Sequence, residues 1–394
     1  MKLRIAIFSD FHCHNKNNNN NTQESYLLTD VTIDTFQDPF KSFEILIKND
    51  STISADLLVL PGDFTNKCDL EGLQMGWDIA KQIGKLLNVE KIIPNIGNHD
   101  VDSRKIRNSD PFNDIKNFSL DFPFNDVELN SFFWENGYII IEDENYRILN
   151  INTVHSHTTK EMANKGLIHQ DAINNIEERL NKSLSNKVNI AVCHHNPIEH
   201  SHYNTGSTDF LNNGDELIKI LDRMNFDLII HGHKHDPRIR YSPGGINSPI
   251  VFSSGSFSAF KNLLLQGANN TFHIITFECN EDQIGKGIID TWFFVPTKGW
   301  KQNIKNIYFE PRIGFGVKVD IRALSSKIHQ WFDQQKDNIV SLDDLIETFQ
   351  DIKFMIPSDV DKLKNELKNK NIFVSPVTLD EPTFVQYKKV SNGK

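Results

Sequence analysis

Short uninterrupted apolar runs recur along the chain at residues 3–8, 55–60, 91–96, 188–193 and 226–230, and each ends in Asp, Gly, Asn or His. A continuous apolar run of that length predicts a strand buried on both faces. Between the runs the period changes to that of a helix. Residues 39–48 put Phe40, Phe43 and Ile47 on one face, 77–87 do so with Ile79, Ala80, Ile83 and Leu87, and 172–180 with Ala172, Ile173, Ile176 and Leu180. Strands alternating with amphipathic helices define an α/β protein. In open α/β sheets ligands bind beyond the carboxyl ends of the strands. The polar residues that close these runs are therefore the place to look for chemistry.

After Gly244-Gly245 the texture turns to strands at 249–253, 271–277 and 287–295, expected as a second sheet packed on the first. The stretch from Pro296 to Trp300 reads as a boundary, dividing the chain into 1–300 and an α+β appendage at 301–394. In the appendage, Ser341 opens a helix with Leu342, Leu345, Ile346 and Phe349 on its apolar side, and Ser358 starts another with Val360, Leu363 and Leu367 inward. Strands 372–374 and 384–387 follow. Helix, helix, strand, strand is the tail of a winged-helix arrangement, and equally suits a small docking or dimerisation element. Asn15 to Asn21, almost pure asparagine, has too little apolar surface to pack and reads as a mobile surface loop.

Composition changes this picture little. The chain has 394 residues, 38% hydrophobic and 24% charged, which suits one large globular domain with a smaller unit. No apolar run approaches the roughly 20 residues that span a bilayer. The apolar start ends at Ser9-Asp10 without a small-residue cleavage site, so a buried strand is expected there and not a signal peptide. Four scattered cysteines, Cys13, Cys68, Cys193 and Cys279, form no CxxC pair and suit a reducing cytoplasm. A net charge of −10 gives no general attraction to polyanions or anionic lipid, though a bound cation would provide one locally.

Five segments at run ends concentrate the chemistry: Asp10-Phe11-His12, Gly62-Asp63, Gly97-Asn98-His99-Asp100, Cys193-His194-His195-Asn196-Pro197 and His231-Gly232-His233-Lys234-His235. Taken singly, Gly-Asp is a turn and Asp-x-His a common coincidence. On a strand, residues i and i+2 share a side, so Asp10 with His12, and His233 with His235, are expected to converge. Gly before Asp63, Asn98 and His233 permits the sharp turn each projecting side chain needs. With Asp63, Asn98 and one of His194 or His195 there are seven donors, too many for one ion and right for two. The mixed Asp, His and Asn set suits Mn, Fe, Zn, Ni or Co.

This set resembles the calcineurin-like metallophosphoesterase superfamily, whose pattern D-x-H, GD, GNH[DE], strand-end His and G-H-x-H is matched over roughly residues 1–300. The segment 166–180 and Ser253-Ser254-Gly255-Ser256 are also similar to family features. The resemblance implies a four-layer α/β/β/α sandwich with two mixed sheets. It implies one divalent ion on Asp10, His12, Asp63 and His235, and a second on Asp63, Asn98, His194 and His233, with Asp63 bridging. The first His after the strand is the family's ligand, which favours His194; Asn196 stands where many relatives have Pro, so His195 stays the alternative. His231 precedes the family's Gly and is not expected to ligate. A bridging water would lose its proton and attack phosphorus, His99 would assist the leaving group, and Asp100 would hydrogen-bond His99.

The activity implied is phosphoric ester hydrolysis with two divalent ions, manganese foremost, on a phosphodiester, with a nucleotide or nucleic acid as substrate. A phosphomonoesterase, a cyclic-nucleotide phosphodiesterase and a metal-binding scaffold acting through a partner are the alternatives. Phe64-Thr65-Asn66 after the Gly-Asp pair holds no Tyr, which disfavours the purple acid phosphatase subgroup. Only Arg104 lies near the GNHD segment, which disfavours the protein phosphatases. His155, His157 and His202, in loop-like stretches, are read as surface histidines without a role, with reach toward a substrate as the alternative. No membrane association is expected; a homo-oligomer or protein partner would engage 301–394.

Overall fold

The computed structural model describes residues 2–159, 162–181, 187–199, 209–278, 285–304, 306, 308–375 and 383–388. The first three strands are β1 (Lys2–Ile7), β2 (Leu57–Leu60) and β3 (Lys91–Pro94). Next come β4 (Tyr138–Glu142), β5 (Tyr146–Ile151), β6 (Val188–Cys193) and β7 (Leu228–His231). Then follow β8 (Arg238–Tyr241), β9 (Ile250–Ser253), β10 (Thr271–Glu278), β11 (Gly287–Val295), β12 (Gly299–Lys301) and β13 (Arg312–Phe315). One sheet runs β12-β11-β10-β1-β2-β3, with β13 also on β11; the other runs β4-β5-β6-β7-β9-β8.

Alternation along the strands builds the layers. In the second sheet Ile148, Val192 and Ile230 enter the core shared with the first sheet, while Leu149, Ala191 and Ile229 face a separate cluster. That cluster is completed by α5 (Gln170–Asn181) and α6 (Gly214–Arg223) through Ile173, Ile176, Leu217 and Leu221. On the other side α1 (Pro39–Asn49) and α2 (Leu70–Leu87) bury Phe43, Ile79, Ala80, Ile83 and Leu87. Both are capped by aspartates: Asp38 accepts from the amides of Phe40 and Lys41, and Asp69 from that of Gly72. The short α3 (Asn113–Lys116) and α4 (Val127–Asn136) fill the connection to β4. The result is the expected α/β/β/α sandwich.

Its sheet membership differs from expectation. The strands after Gly245 do not make a sheet of their own. β9 joins β7 in parallel, whereas β10 runs antiparallel along the free edge of β1, pairing Ile7 with His273. A strand buried on both faces offers two edges, and only one edge of β1 is taken by β2. The stretch Pro296–Trp300, read as a boundary, forms the turn between β11 and β12, and the first sheet continues to Phe315.

Beyond that sheet come α7 (Ile321–Gln334), β14 (Ile339–Ser341), α8 (Leu342–Thr348), α9 (Pro357–Asn369), β15 (Ile372–Val374) and β16 (Phe384–Tyr387). The three strands pair antiparallel in the order β14-β16-β15 over a core of Leu324, Ile328, Phe332, Leu345, Leu363 and Leu367. Ser341 caps α8 by accepting from the Asp344 amide at 3.0 Å. This unit docks through Phe354, which packs with Ile288 and Val317, and through Lys353 on Glu278 at 2.8 Å. Glu278 pairs with Lys2, so the unit sits where β1 begins.

Candidate metal centre

β1, β2, β3, β6 and β7 all release their chains at the same end of the sandwich, and Asp10, Asp63, Asn98, His194 and His233 follow directly. The loop carrying Asp10 is held by rings on both sides: Phe8 and Phe11 each pack against Phe257, with centroids 5.2 and 5.3 Å apart. Convergence of the i and i+2 pairs has a different cause from the one expected. β1 ends at Ile7 and β7 at His231, so neither pair lies on a strand. Instead Asp10, His12, Asp63, His233 and His235 all adopt positive φ, between 49° and 73°. Each costs about 1 kcal/mol or more in an L-residue. Only Gly62 of the preceding glycines has positive φ, at 117°. Gly232 serves close approach, since a Cβ there would sit 2.5 Å from Asp10 Oδ2.

All seven expected donors meet. Asp10, His12 and His235 form one group with donor atoms within 4.8 Å of one another, and Asp63, His194 and His233 form another. Asp63 stands between them, its Oδ2 3.6 Å from His12 Nε2 and 3.3 Å from His194 Nε2. Asn98 Oδ1 lies 3.0 Å from His194 Nε2 and 2.9 Å from His233 Nδ1. His12 Nε2 and His235 Nε2 are 2.8 Å apart.

Tautomers test whether cations fit. His194 Nδ1 must donate to the Pro61 carbonyl at 3.0 Å, so in neutral His194 the Nε2 carries a lone pair aimed at the Asn98 and Asp63 oxygens. Lone pairs facing each other need a proton or a cation between them. Without a metal the proton wins: burial opposes charge on His194, but the Asp63 carboxylate and its hydrogen bond push the imidazole up to about 9. Burial likewise favours neutral Asp63, but His194 and His99 hold it well below the usual carboxylate range. Burial pushes His12 and His233 down, leaving neutral imidazoles with lone pairs to give. This donor set suits borderline divalent ions.

His195 takes a different place. Its Nδ1 meets Thr153 Oγ1 at 2.9 Å, and its ring packs against His233 with centroids 4.5 Å apart and the planes inclined by 50°. Among the two adjacent histidines, His194 is the one beside Asp63. His231 is buried at the end of β7. His155 and His157 are not surface residues reaching for substrate: His155 Nε2 donates to Trp134 O, and His157, wholly buried, donates to Lys165 O. His202 lies outside the described residues.

The expected Asp100–His99 bond is also replaced. Asp100 is buried, and its oxygens accept from the backbone amides of Asp63, Thr65 and Gly97. It thereby staples the Asp63 loop to the Asn98 loop. Burial and then the charge of Asp63 raise its carboxyl to about 7. His99 Nδ1 instead faces Asn66 Oδ1 at 2.8 Å, and Asn66 Nδ2 donates to Glu24 Oε2 at 2.6 Å. Sequence reading missed both partners; Asn66, three residues after Asp63, was the one visible signal. Nor is the asparagine tract loose. Asn15 donates to Glu71, Asn18 to Asp69, and Asn19 accepts from Lys67.

A buried array of imidazoles and carboxylates at the strand ends of a two-sheet sandwich defines a metal-dependent hydrolase class. The chain belongs to the calcineurin-like phosphoesterase family, whose profile matches residues 3–237 and whose members bind two divalent metals. A second profile, wHTH-Calcineurin_assc, matches residues 313–369. The fold is similar to that of a dimetal phosphatase from Danio rerio, at 10% identity and a TM-score of 0.51 over 74% of this chain and 96% of that one. A purple acid phosphatase from yellow lupin seeds aligns at 13% identity and a TM-score of 0.48, over 74% of this chain and 52% of that one. No match among curated proteins is found.

Proposed function

We propose that this protein is a two-metal phosphodiesterase, with Asp10, His12, Asp63 and His235 around one ion and Asp63, Asn98, His194 and His233 around the other. The position of Asp63 Oδ2, within 3.6 Å of a histidine from each group, carries that reading. Bound ions would polarise the phosphoryl oxygens and acidify a water between them. The chain's own part is to shape what surrounds that event. His99 reaches the cavity over the ligands, which measures about 300 Å³ and is lined also by Asn164, Asp209, Lys234 and Leu263. Its Nδ1–H is committed to Asn66, so Nε2 is the atom that faces the leaving oxygen, and it would give that oxygen a proton from the imidazolium form of the ring, protonated at both nitrogens. Water would add to phosphorus and lose its proton to solvent, the P–O bond to the leaving group would break, and that oxygen would take the proton from His99 Nε2 and depart as an alcohol, the ring regaining its proton from solvent.

A diester fits better than a monoester on charge. A monoester dianion asks for extra cations, and the one lysine lining the described cavity, Lys234, is already held by Asp209 at 3.1 Å. Manganese is the ion we favour among the borderline divalent ions that four imidazoles and three oxygen donors suit, and a nucleotide or nucleic acid the substrate class, on the strength of the appended unit. Cys13, Cys68 and Cys193 are free and buried, which supports a reducing cytoplasm. We assign the unit from α7 to β16 to docking a partner at the end remote from the ligands.

The test is hydrolysis by the manganese-loaded protein of bis-p-nitrophenyl phosphate, p-nitrophenyl phosphate, cyclic AMP and single- and double-stranded DNA. Diester turnover should exceed monoester turnover. Asp63→Asn should lower it by about a hundredfold or more, and His99→Ala by about a hundredfold. Full activity in Asp63→Asn would remove the bridging assignment. Two bound metals with no hydrolysis of any substrate would favour the scaffold reading.

A further inference from the structure

The cavity over the ligands continues past His99 into a second depression of about 140 Å³, and the two share Asn98, His99 and Asn164. Its walls are of another character. Val101, Ile106 and Ala163 give an apolar side, and Ile106 is 77% exposed. Two cations also line it, and they are not equivalent. Lys67 is taken up by Glu24 at 2.7 Å. Arg104 is exposed and has no ion-pair partner among the described residues. Its neighbour Arg107 is by contrast paired with Asp114 at 3.0 Å.

We propose that this depression receives the leaving half of the ester, and that it selects a leaving group with an apolar body and a second negative charge, read by Arg104. The inference rests on the phosphoesterase reading of the centre, and on position. If His99 gives the departing oxygen its proton, that oxygen lies on the His99 side of the phosphorus, and this depression is what opens there. Apolar surface at Val101, Ile106 and Ala163 covers the body, and an unpaired guanidinium at the rim meets an anion without first breaking another contact. A half-nucleotide has this chemistry; a simple alkyl alcohol does not.

Matched probes isolate the charge: methyl 4-carboxyphenyl phosphate against methyl 4-carbamoylphenyl phosphate, alike in size and differing by one negative charge on the leaving group, each rate divided by that of its uncatalysed hydrolysis because the carbamoyl ester has the better leaving phenol. With the manganese-loaded full chain, kcat/KM should favour the carboxylate. Arg104→Gln should cut that preference by about threefold or more, the scale of one exposed ion pair. Ile106→Glu, at an exposed position, should cut it as well by placing a like charge in the wall. A preference for the neutral ester, or one unchanged in both variants, overturns the proposal. Turnover of bis-p-nitrophenyl phosphate with neither matched ester cleaved overturns it too, and leaves the phosphoesterase reading standing. No turnover of any ester removes that reading and the depression's role together.

Discussion

The orientation of one amide decides what His99 can do. Only the Nδ2 of Asn66 can donate to the Glu24 carboxylate, so Oδ1 must face His99, and Nδ1 of His99 must carry the proton. Glu24 thus sets a tautomer without touching the imidazole. Asn66→Ala should lower kcat by about 10- to 100-fold and leave KM nearly alone. The loss should be greater for phenyl than for p-nitrophenyl esters, because the poorer leaving group depends more on the proton. A loss independent of the leaving group would make Asn66 merely structural. The seven donors were legible in the sequence because each is tied to a strand end by a fixed short motif. Glu24 was not, since nothing in a residue following an asparagine tract marks it as the anchor of a loop 42 positions away.

Strands and helices were read well where apolar periodicity was strong, and their pairing was not. Thr271–Glu278 carries the same kind of pattern whether it edges a new sheet or lies beside β1; the choice is made by tertiary packing that no local pattern records. Phe315 shows the consequence. It is fully buried, with its ring 5.2 Å from that of Phe277, and Ile313 on the same strand is nearly so. Ending the chain after residue 300 should therefore cost several kcal/mol by removing core side chains, whereas ending it after Phe315 should leave the sandwich folded and its metals bound. Thermal unfolding and metal content of the two truncations would check this; equal stability would mean that β13 adds nothing to the first sheet.

Across the whole molecule, buried imidazoles set an acid limit. His273, on β10, is clasped between Thr291 Oγ1 and the Ser254 carbonyl, and burial lowers it to about 4; burial lowers His157 to about 4 as well. Both titrate near 6.5 in an unfolded chain. The unfolded state then binds more protons between about pH 6.5 and 4, so stability is full above that window and falls as pH drops through it. At pH 5.5 the two together should remove about 2–3 kcal/mol relative to pH 7.5. His273→Gln should flatten the dependence of melting temperature on pH; an unchanged slope would place the loss elsewhere. The same vertical axis separates two ends: the candidate ligands lie beyond the ends of the parallel strands, and the unit from α7 to β16 lies where β1 begins.

Five donor residues hold the left-handed conformation at once, a combined burden of about 5 kcal/mol. That is comparable with the whole margin by which many domains stay folded. Glycine at any of those positions would relieve the backbone, but only by removing a buried or half-buried, hydrogen-bonded side chain from the centre. The strain of this centre is therefore tied to the very side chains that would hold the ions.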